Sequence, residues 1–475
     1  MYRALLFAVG ISLSILGLGA PVSAAAPAKP NIIIVMPDDV GYGDFSCHGN
    51  PIVKTPHVDA FREQSVRFTN FHVSPTCAPT RAALLTGRHE FKSGVTHTIN
   101  ERERLSLKAT TLAQVLKSSG YATGIFGKWH LGDEEAYQPE RRGFDETYIH
   151  GAGGIGQSYP GSCGDAPGNT YFSPAVRHNG VFEKTDGYCT DVFFNQALRW
   201  IDARRKTDAP FFAYITPNAA HTPLQCPEEY AKRHAGEGTE KVARFYGMIE
   251  NIDDNFGRLT AALKEWGIER DTLVIFMTDN GGTIGVPVFN AGMRGSKVTP
   301  YEGGTRVPSF WRWPAAIEGG RDVSALAAHI DVFPTLAQIA GADLTPEVGR
   351  QVEGRSLAPF FKDQKVEWPD RTLVTHVGRW KKGEAESNKY VNMSIRDERY
   401  ALVNDAELYD LQADPGQKTN VAADHPDVVA RLRKDYDAWW RDVLPRLENE
   451  DAVGPKVNPY KEWYEKQYGE GARVN

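Results

Sequence analysis

Three carboxylates and an amide stand where bound ions are usually held. Asp38-Asp39 close the apolar run 31–36, and Asp279-Asn280 close the apolar run 273–277. Adjacent carboxylates at the end of a buried strand repel one another and are costly to desolvate, and a hard divalent cation relieves both problems. Either pair alone is also what an ordinary polar turn looks like. The repeat of the pattern at a second strand end argues for a site. Three carboxylates and one amide oxygen suit Ca2+, with Mg2+ as the alternative, and leave room for a substrate or nucleophile oxygen.

These residues need a frame, and the sequence supplies one. Residues 31–36 and 273–277 read as strands buried on both faces of a parallel sheet. Thr55-Pro56 starts a helix reaching about Ser65, with Pro at its first position. Residues 66–73 read as one strand, 79–85 as a short helix, and 110–120 as a helix ended by Gly120. Residues 121–126 form a strand that feeds Gly127-Lys-Trp-His-Leu-Gly132. A helix at 191–205, the strand 211–216 and a long helix at 240–266 follow. Strands alternating with helices imply an α/β fold: a large mixed, mostly parallel sheet flanked by helices on both faces. Polar clusters fall at strand ends, where such sheets bind ligands. After about Arg371 the pattern changes. Residues 372–376 and 391–403 read as antiparallel strands and 424–444 as a helix, which predicts a smaller C-terminal α+β subdomain. The segment from Glu448 is expected to wrap the surface.

Composition limits the function. The chain has 475 residues, 41% hydrophobic and 24% charged, which is ordinary globular usage. Lys+Arg 54 against Asp+Glu 60 gives −6, which argues against a nucleic-acid partner. An anionic substrate must therefore be met by a local group of cations. The N-terminus reads as a secretory signal, residues 1–24: Arg3, an apolar run to about Ala20, then Val22-Ser23-Ala24 as a cleavage site. The run is short and broken by Gly10, Ser12, Ser14, Gly17 and Gly19, so no stable membrane anchor is expected, and the protein should be exported, periplasmic or secreted. Of five cysteines, Cys47, Cys77, Cys163, Cys189 and Cys226, one must stay unpaired if the others pair. Cys163 and Cys189 flank one Gly-rich insertion and are the expected local disulfide.

Cys77-Ala78-Pro79-Thr80-Arg81, followed by Leu85-Thr86-Gly87-Arg88, resembles the signature of the type I sulfatases of the alkaline phosphatase-like superfamily. Further blocks agree in order: Asp38-Asp39 with Gly41-Tyr42-Gly43-Asp44, Gly127 to Gly132, His221 with Pro223, Thr278 to Gly282, Arg294 with Lys297, and Tyr301 to Gly304. Leu408-Tyr-Asp-Leu411 with Asp414-Pro415 resembles the family's C-terminal part. The resemblance covers nearly the whole chain after the leader. It implies a catalytic domain at 25–370 and a C-terminal subdomain at 371–475. It also implies that a formylglycine-generating enzyme oxidises Cys77 to formylglycine, which accounts for the unpaired cysteine.

The roles carried over are these. Asp38, Asp39, Asp279 and Asn280 hold the cation together with residue Cys77. Arg81 orients the hydrated aldehyde, and Lys128 and Lys297 hold the sulfate oxygens as compact charges. His130 takes the proton that lets sulfate leave, and His221 binds sulfate or protonates the departing alcohol. Arg88, Glu302 and Arg306 are expected to be structural. The reaction implied is hydrolysis of a sulfate monoester to alcohol and inorganic sulfate. The substrate expected is a sulfated carbohydrate or other sulfated small molecule, with Tyr159, Tyr171 and Phe172 of the insertion 151–187 stacking on a sugar ring. A phosphonate or phosphate ester hydrolase on the same scaffold, and a binder of sulfated glycans with Cys77 unmodified, are the competing readings.

Overall fold

The computed structural model describes residues 29–158, 161, 164–362 and 366–474. The expected leader 1–24, Tyr159 and Cys163 lie outside the described residues. The strands in chain order are β1 (Asn31–Val35), β2 (Val66–Phe68), β3 (Phe71–His72), β4 (Ala122–Lys128), β5 (Glu146–His150), β6 (Ala175–His178), β7 (Val181–Lys184), β8 (Phe211–Thr216), β9 (Thr272–Met277), β10 (Ser309–Arg312), β11 (Arg321–Val323), β12 (Ala327–Ala328), β13 (Leu373–His376), β14 (Met393–Arg396), β15 (Tyr400–Val403) and β16 (Glu407–Asp410).

Ten of them form one sheet in the order β11-β2-β10-β9-β1-β8-β4-β5-β6-β7. The centre, β9-β1-β8-β4-β5, is parallel, and β10, β6 and β7 join antiparallel. The continuous apolar runs follow from burial on both faces. Ile32 and Ile34 point into one core layer, while Ile33 and Val35 point into the other. Phe212 and Tyr214 against Ala213 and Ile215 repeat the alternation in β8. Helices Cys77–Thr86 and Leu112–Ser118 lie against the first layer, and Cys189–Arg204 and Glu240–Glu265 against the second.

The C-terminal sheet, β13-β14-β15-β16, is antiparallel and is covered by the helix Pro426–Val443. Its own core centres on Trp380, Leu402, Tyr436 and Trp440.

Four expectations are corrected. Residues 66–73 are two strands, because the chain turns at Thr69-Asn70 and β3 pairs with β12 in a separate sheet. Residues 391–403 are a hairpin, β14 and β15, reversed where the Asp397 carboxylate accepts from the Arg399 and Tyr400 amides. The tail does not merely wrap the surface. Helix Pro459–Tyr468 starts on an Asn458 cap and buries Tyr460 and Tyr464, four residues apart, against Phe182. Cys189 is a free, buried thiol 3.3 Å from Asn218 Oδ1, not half of a disulfide.

Candidate active site

Parallel strands end together, and this places the site. Asp38 and Asp39 follow β1, Asp279 and Asn280 follow its neighbour β9, Lys128 ends β4, and His221 lies beyond β8. All four strand ends open on the same edge of the sheet, as ligand sites in such sheets do. Helix Cys77–Thr86, wholly buried, brings Cys77 and Arg81 to that edge on successive turns of one face. Glycines let the loops meet. A Cβ on Gly281 would stand 1.9 Å from the Gly303 carbonyl oxygen, so the Asp279-Asn280 loop and the loop after Lys297 touch backbone to backbone. Asp39 (φ 62°) and His130 (φ 59°) take left-handed backbone, a costly state for non-glycine residues that clusters at functional sites.

The candidate catalytic and cation-holding residues from the sequence come together in one cluster. Lys128 Nζ donates to Asp38 Oδ2 at 2.6 Å, Lys297 Nζ to Asp39 Oδ1 at 2.5 Å, and Arg81 Nη2 to Asp279 Oδ2 at 2.7 Å. His221 Nε2 stands 3.8 Å from Asp39 Oδ2. Cys77 Sγ is 3.4 Å from His130 Nδ1, and His130 Nε2 is 2.8 Å from the Thr98 carbonyl oxygen. A carbonyl only accepts, so the Nε2 of His130 carries the proton and its Nδ1 offers a lone pair to Cys77. Most of the cluster is sealed. Lys297 and His221 keep 13% side-chain exposure each, which puts the mouth on their side.

Burial outweighs the paired cations at two of the three carboxylates. Burial, opposed by Lys128, raises Asp38 to about 6. Burial and then Asp38 raise Asp279 to about 7 in spite of Arg81. Asp39 goes the other way: burial pushes it up, but Lys297 and then His221 hold it well below the usual carboxylate range. Burial also opposes ionisation of Cys77, yet Lys128 and Lys297 outweigh it and lower the thiol. Burial and Lys128 push His130 far down, so its ring is neutral. Oxygens of Asp38, Asp39 and Asp279 lie within 4.8 Å of one another. Asp38 Oδ1 and Asn280 Oδ1 are buried without a hydrogen-bond partner. Orphaned buried acceptors are rare, and two occur here beside a cluster of three carboxylates. An all-oxygen donor set with two vacant acceptors fits a hard divalent cation.

Some placements differ from expectation. Tyr171 is fully buried, and its hydroxyl donates to the Asn218 and His221 carbonyls, so it braces the His221 loop instead of stacking on a sugar. Phe172 is exposed. The insertion does cover the site: a Cβ on Gly153 would come 2.8 Å from the His130 ring, and one on Gly154 would come 2.7 Å from His221. Arg88 donates to Ser93, Glu302 binds Arg396, and Arg306 lies over the Tyr42 ring, all structural contacts. Two neighbours carried no local signal in the sequence. Thr98 fixes the His130 tautomer through a backbone oxygen, which any residue type supplies. Arg379 arrives from the C-terminal subdomain and bonds Thr98 Oγ1 at 2.9 Å.

Known proteins resemble this chain in sequence and fold. The sulfatase family model matches residues 30–342, and the model described as N-sulphoglucosamine sulphohydrolase, C-terminal, matches residues 296–439. The chain is 31% identical to human arylsulfatase A over 472 residues, 88% of this chain and 89% of that one. It is 31% identical to mouse N-acetylgalactosamine-6-sulfatase over 378 residues, 75% of this chain and 70% of that one. The structure of Ps i-CgsB in complex with k-i-k-neocarrahexaose superposes with a TM-score of 0.77 at 26% identity, covering 90% of this chain and 96% of that one. The fold and the strand-end site thus define a hydrolase of the alkaline phosphatase-like superfamily. Within it, the chain belongs to the sulfatase family, type I, and is a sulfuric ester hydrolase.

Proposed function

We propose that the protein releases inorganic sulfate from a sulfated carbohydrate, using formylglycine made from Cys77 and a Ca2+ ion, or Mg2+ in its place, held by Asp38, Asp39, Asp279 and Asn280. The observation that carries this reading is the carboxylate cluster with its orphaned Asp38 and Asn280 oxygens, set beside a cysteine whose neighbours lower its pKa. The divalent cation would supply positive charge that favours an ionised oxygen at residue Cys77 and offsets the three carboxylates. Formylglycine, as its hydrate, would supply that oxygen and a second hydroxyl, replacing a thiol.

The chain's own groups then have separable tasks. Lys297, at the mouth, and Lys128, at the floor, attract the sulfate oxygens. Arg81 stays on Asp279 and fixes its orientation. His130 is held by Thr98 with its lone pair toward Cys77, ready to take a proton there. His221 is the partly exposed acid, placed to give a proton to the leaving alcohol. The sugar is inferred from relatives: one is named for N-acetylgalactosamine 6-sulfate and one solved structure contains a neocarrahexaose. We place the catalytic domain at 25–370 and the C-terminal subdomain at 371–475. We infer export through the N-terminal signal, with a formylglycine-generating enzyme as the maturation partner. Among the described residues no helix is long and apolar enough to cross a membrane.

The test begins with mass spectrometry of the tryptic peptide 68–81 from protein made with a formylglycine-generating enzyme. A mass matching formylglycine at position 77 is expected, with sulfate release from 4-nitrophenyl sulfate and from N-acetylgalactosamine 6-sulfate. Cys77→Ala should lose both activities. Sulfate release that survives in Cys77→Ala refutes the assignment of the nucleophile. Ca2+ should raise the thermal midpoint of the wild type and leave Asp279→Ala unmoved. An equal rise in both would mean that the ion binds elsewhere.

A further inference from the structure

One cation of the site region has no assigned task. Arg379 lies in the loop after β13, in the C-terminal subdomain, and this loop is docked firmly. Its amide donates to the Thr96 carbonyl at 3.1 Å, and a Cβ on the preceding Gly378 would meet that same oxygen at 2.1 Å. Arg102 clamps the next residue from the other side, donating to the Trp380 carbonyl at 2.6 Å. Arg379 itself has φ 61°, left-handed backbone that an ordinary residue avoids. The strain aims one side chain at one place.

That side chain is only partly exposed, and its charge is unmatched. Its hydrogen bond goes to a neutral hydroxyl, Thr98 Oγ1, and its Nε is buried without a partner. Among the described residues no carboxylate pairs with it. A desolvated guanidinium without an anion is costly and is normally paired. The other guanidinium of this corner, Arg102, is already engaged by Glu450 at 3.1 Å. Burial pushes Arg379 down in pKa, and the charges that pull it up are those of Cys77 and Asp39, so it faces the reaction site. The neighbouring His97 adds no charge. Its Nδ1 accepts from the Thr98 and Ile99 amides, and burial followed by Arg379 holds it at about 3.

Position separates Arg379 from the groups given to the scissile sulfate. The contacts run from Cys77 Sγ to His130 (3.4 Å), from His130 to the Thr98 carbonyl (2.8 Å), and from Thr98 Oγ1 to Arg379 (2.9 Å). Arg379 thus stands on the far side of His130 from Cys77, outside the groups that surround the scissile sulfate. Lys128 and Lys297 sit on the carboxylates instead. We propose that Arg379 is a specificity-determining residue that binds a second anionic group of the substrate, a carboxylate or a further sulfate, on the esterified sugar or on its neighbour. The planar fork of Arg matches either oxyanion with two parallel hydrogen bonds, which a lysine does not. The inference rests on the sulfatase reading and adds to it the charge of the substrate.

The experiment compares wild type, Arg379→Gln and Arg379→Lys, all verified as formylglycine-bearing. Gln keeps an N–H for Thr98 and removes the charge; Lys keeps the charge and removes the fork. The probes are N-acetylgalactosamine 6-sulfate, its 4,6-disulfate, and the 6-sulfate linked to a uronic acid. Each is read by kcat/KM where it is turned over, and by competition against 4-nitrophenyl sulfate where it is not. The wild type should favour one of the two doubly charged probes. Arg379→Gln should lose about 10- to 100-fold on that probe, as expected for a hydrogen-bonded charge, and stay within about threefold on the monosulfate. Arg379→Lys should recover part of the loss. Loss on the disulfate identifies a second sulfate as the anion, and loss on the uronyl probe identifies a carboxylate. An equal loss on all three probes, in kcat alone, overturns the proposal, because Arg379 would then act by positioning His130 through Thr98. No loss on any probe overturns it too. Failure of the underlying reading looks different: no sulfate from any ester, 4-nitrophenyl sulfate included, in the wild type.

Discussion

Replacing Arg81 by Met tests the electrostatics of the site without touching the proposed nucleophile. Arg81 is 1% exposed, Asp279 is fully buried, and their hydrogen bond is 2.7 Å. Met fills much of the same space but leaves a buried carboxylate without its counter-ion. Breaking such a pair from one side costs about 3–5 kcal/mol, because the remaining charge cannot be resolvated. Asp279 already stands at about 7 with Arg81 in place, so near neutral pH the variant will take up a proton and soften part of that cost. Losing Arg81 also removes a charge that holds Asp279 down, so its carboxyl stays protonated beyond pH 8 and the full cost is an upper limit. For a chain of this length the unfolding entropy makes 1 kcal/mol worth about 1 °C, so the midpoint should fall by at most about 3–5 °C in EDTA at pH 8.5. Excess Ca2+ should narrow the gap, since the ion replaces part of the lost positive charge. Adding Asp279→Asn to Arg81→Met should recover stability in EDTA, because the orphaned charge is gone. Thermal midpoints of the wild type, Arg81→Met and the double variant, with and without Ca2+, make the measurement. If the double variant is no more stable than Arg81→Met, the loss comes from packing and the charge argument is refuted.

Three other outcomes are expected. His221→Ala should slow sugar sulfates by about 10²–10⁴-fold, the usual worth of a general acid, and slow 4-nitrophenyl sulfate far less, because nitrophenolate leaves without protonation; equal losses would remove His221 from that role. Asp44 is buried, accepts one hydrogen bond from the Gly41 amide at 2.8 Å, and is raised by burial from 3.8 to about 7. A carboxyl raised in the folded state gives stability that is full below pH 3.8 and lost as pH rises through about 7, so wild-type midpoints should drop between pH 5.5 and 8 more than those of Asp44→Asn, and parallel slopes would refute the assignment. Gly281→Ala places a Cβ against the Gly303 carbonyl at 1.9 Å, so it should part the two loops and abolish the Ca2+-dependent rise in midpoint; a retained rise would show that the loops can separate freely.

The strand ends were legible because burial on both faces writes a run of apolar residues, and polar residues stand out where the run stops. Asp38-Asp39, Lys128 and Asp279-Asn280 all have this form, and the alternation of strand and helix implies that their ends share an edge. Residue pairs that depend on three-dimensional approach were not legible. Nothing near Thr98 in the sequence says that its carbonyl will hold His130, and Arg379 sits 281 residues from Thr98 in a part of the chain with no catalytic motif. The tail was misread because polar and aromatic residues look like surface until Tyr460 and Tyr464 fall on one helical face. The Cys163–Cys189 pairing was inferred from proximity in the chain, yet the Cys189 thiol is turned to Asn218.

Each carboxylate in the site has its own cation: Asp38 with Lys128, Asp39 with Lys297, Asp279 with Arg81. The pocket is therefore close to neutral by itself, and this is what lets three acids and three bases remain buried together. On the proposed reading, adding a divalent cation brings the pocket to about +2, a charge that an ester anion and an ionised oxygen at position 77 would balance. Cation and substrate should then favour one another's binding, by the same factor in each direction. The lysines carry that coupling, since an ammonium released from Asp38 or Asp39 is free for a sulfate oxygen. Replacing Lys297 by Met should accordingly weaken sulfate-ester binding and at the same time reduce how strongly the ester tightens Ca2+, whereas a lysine that served only the ester would leave Ca2+ affinity unchanged when ester is absent and coupling intact when it is present.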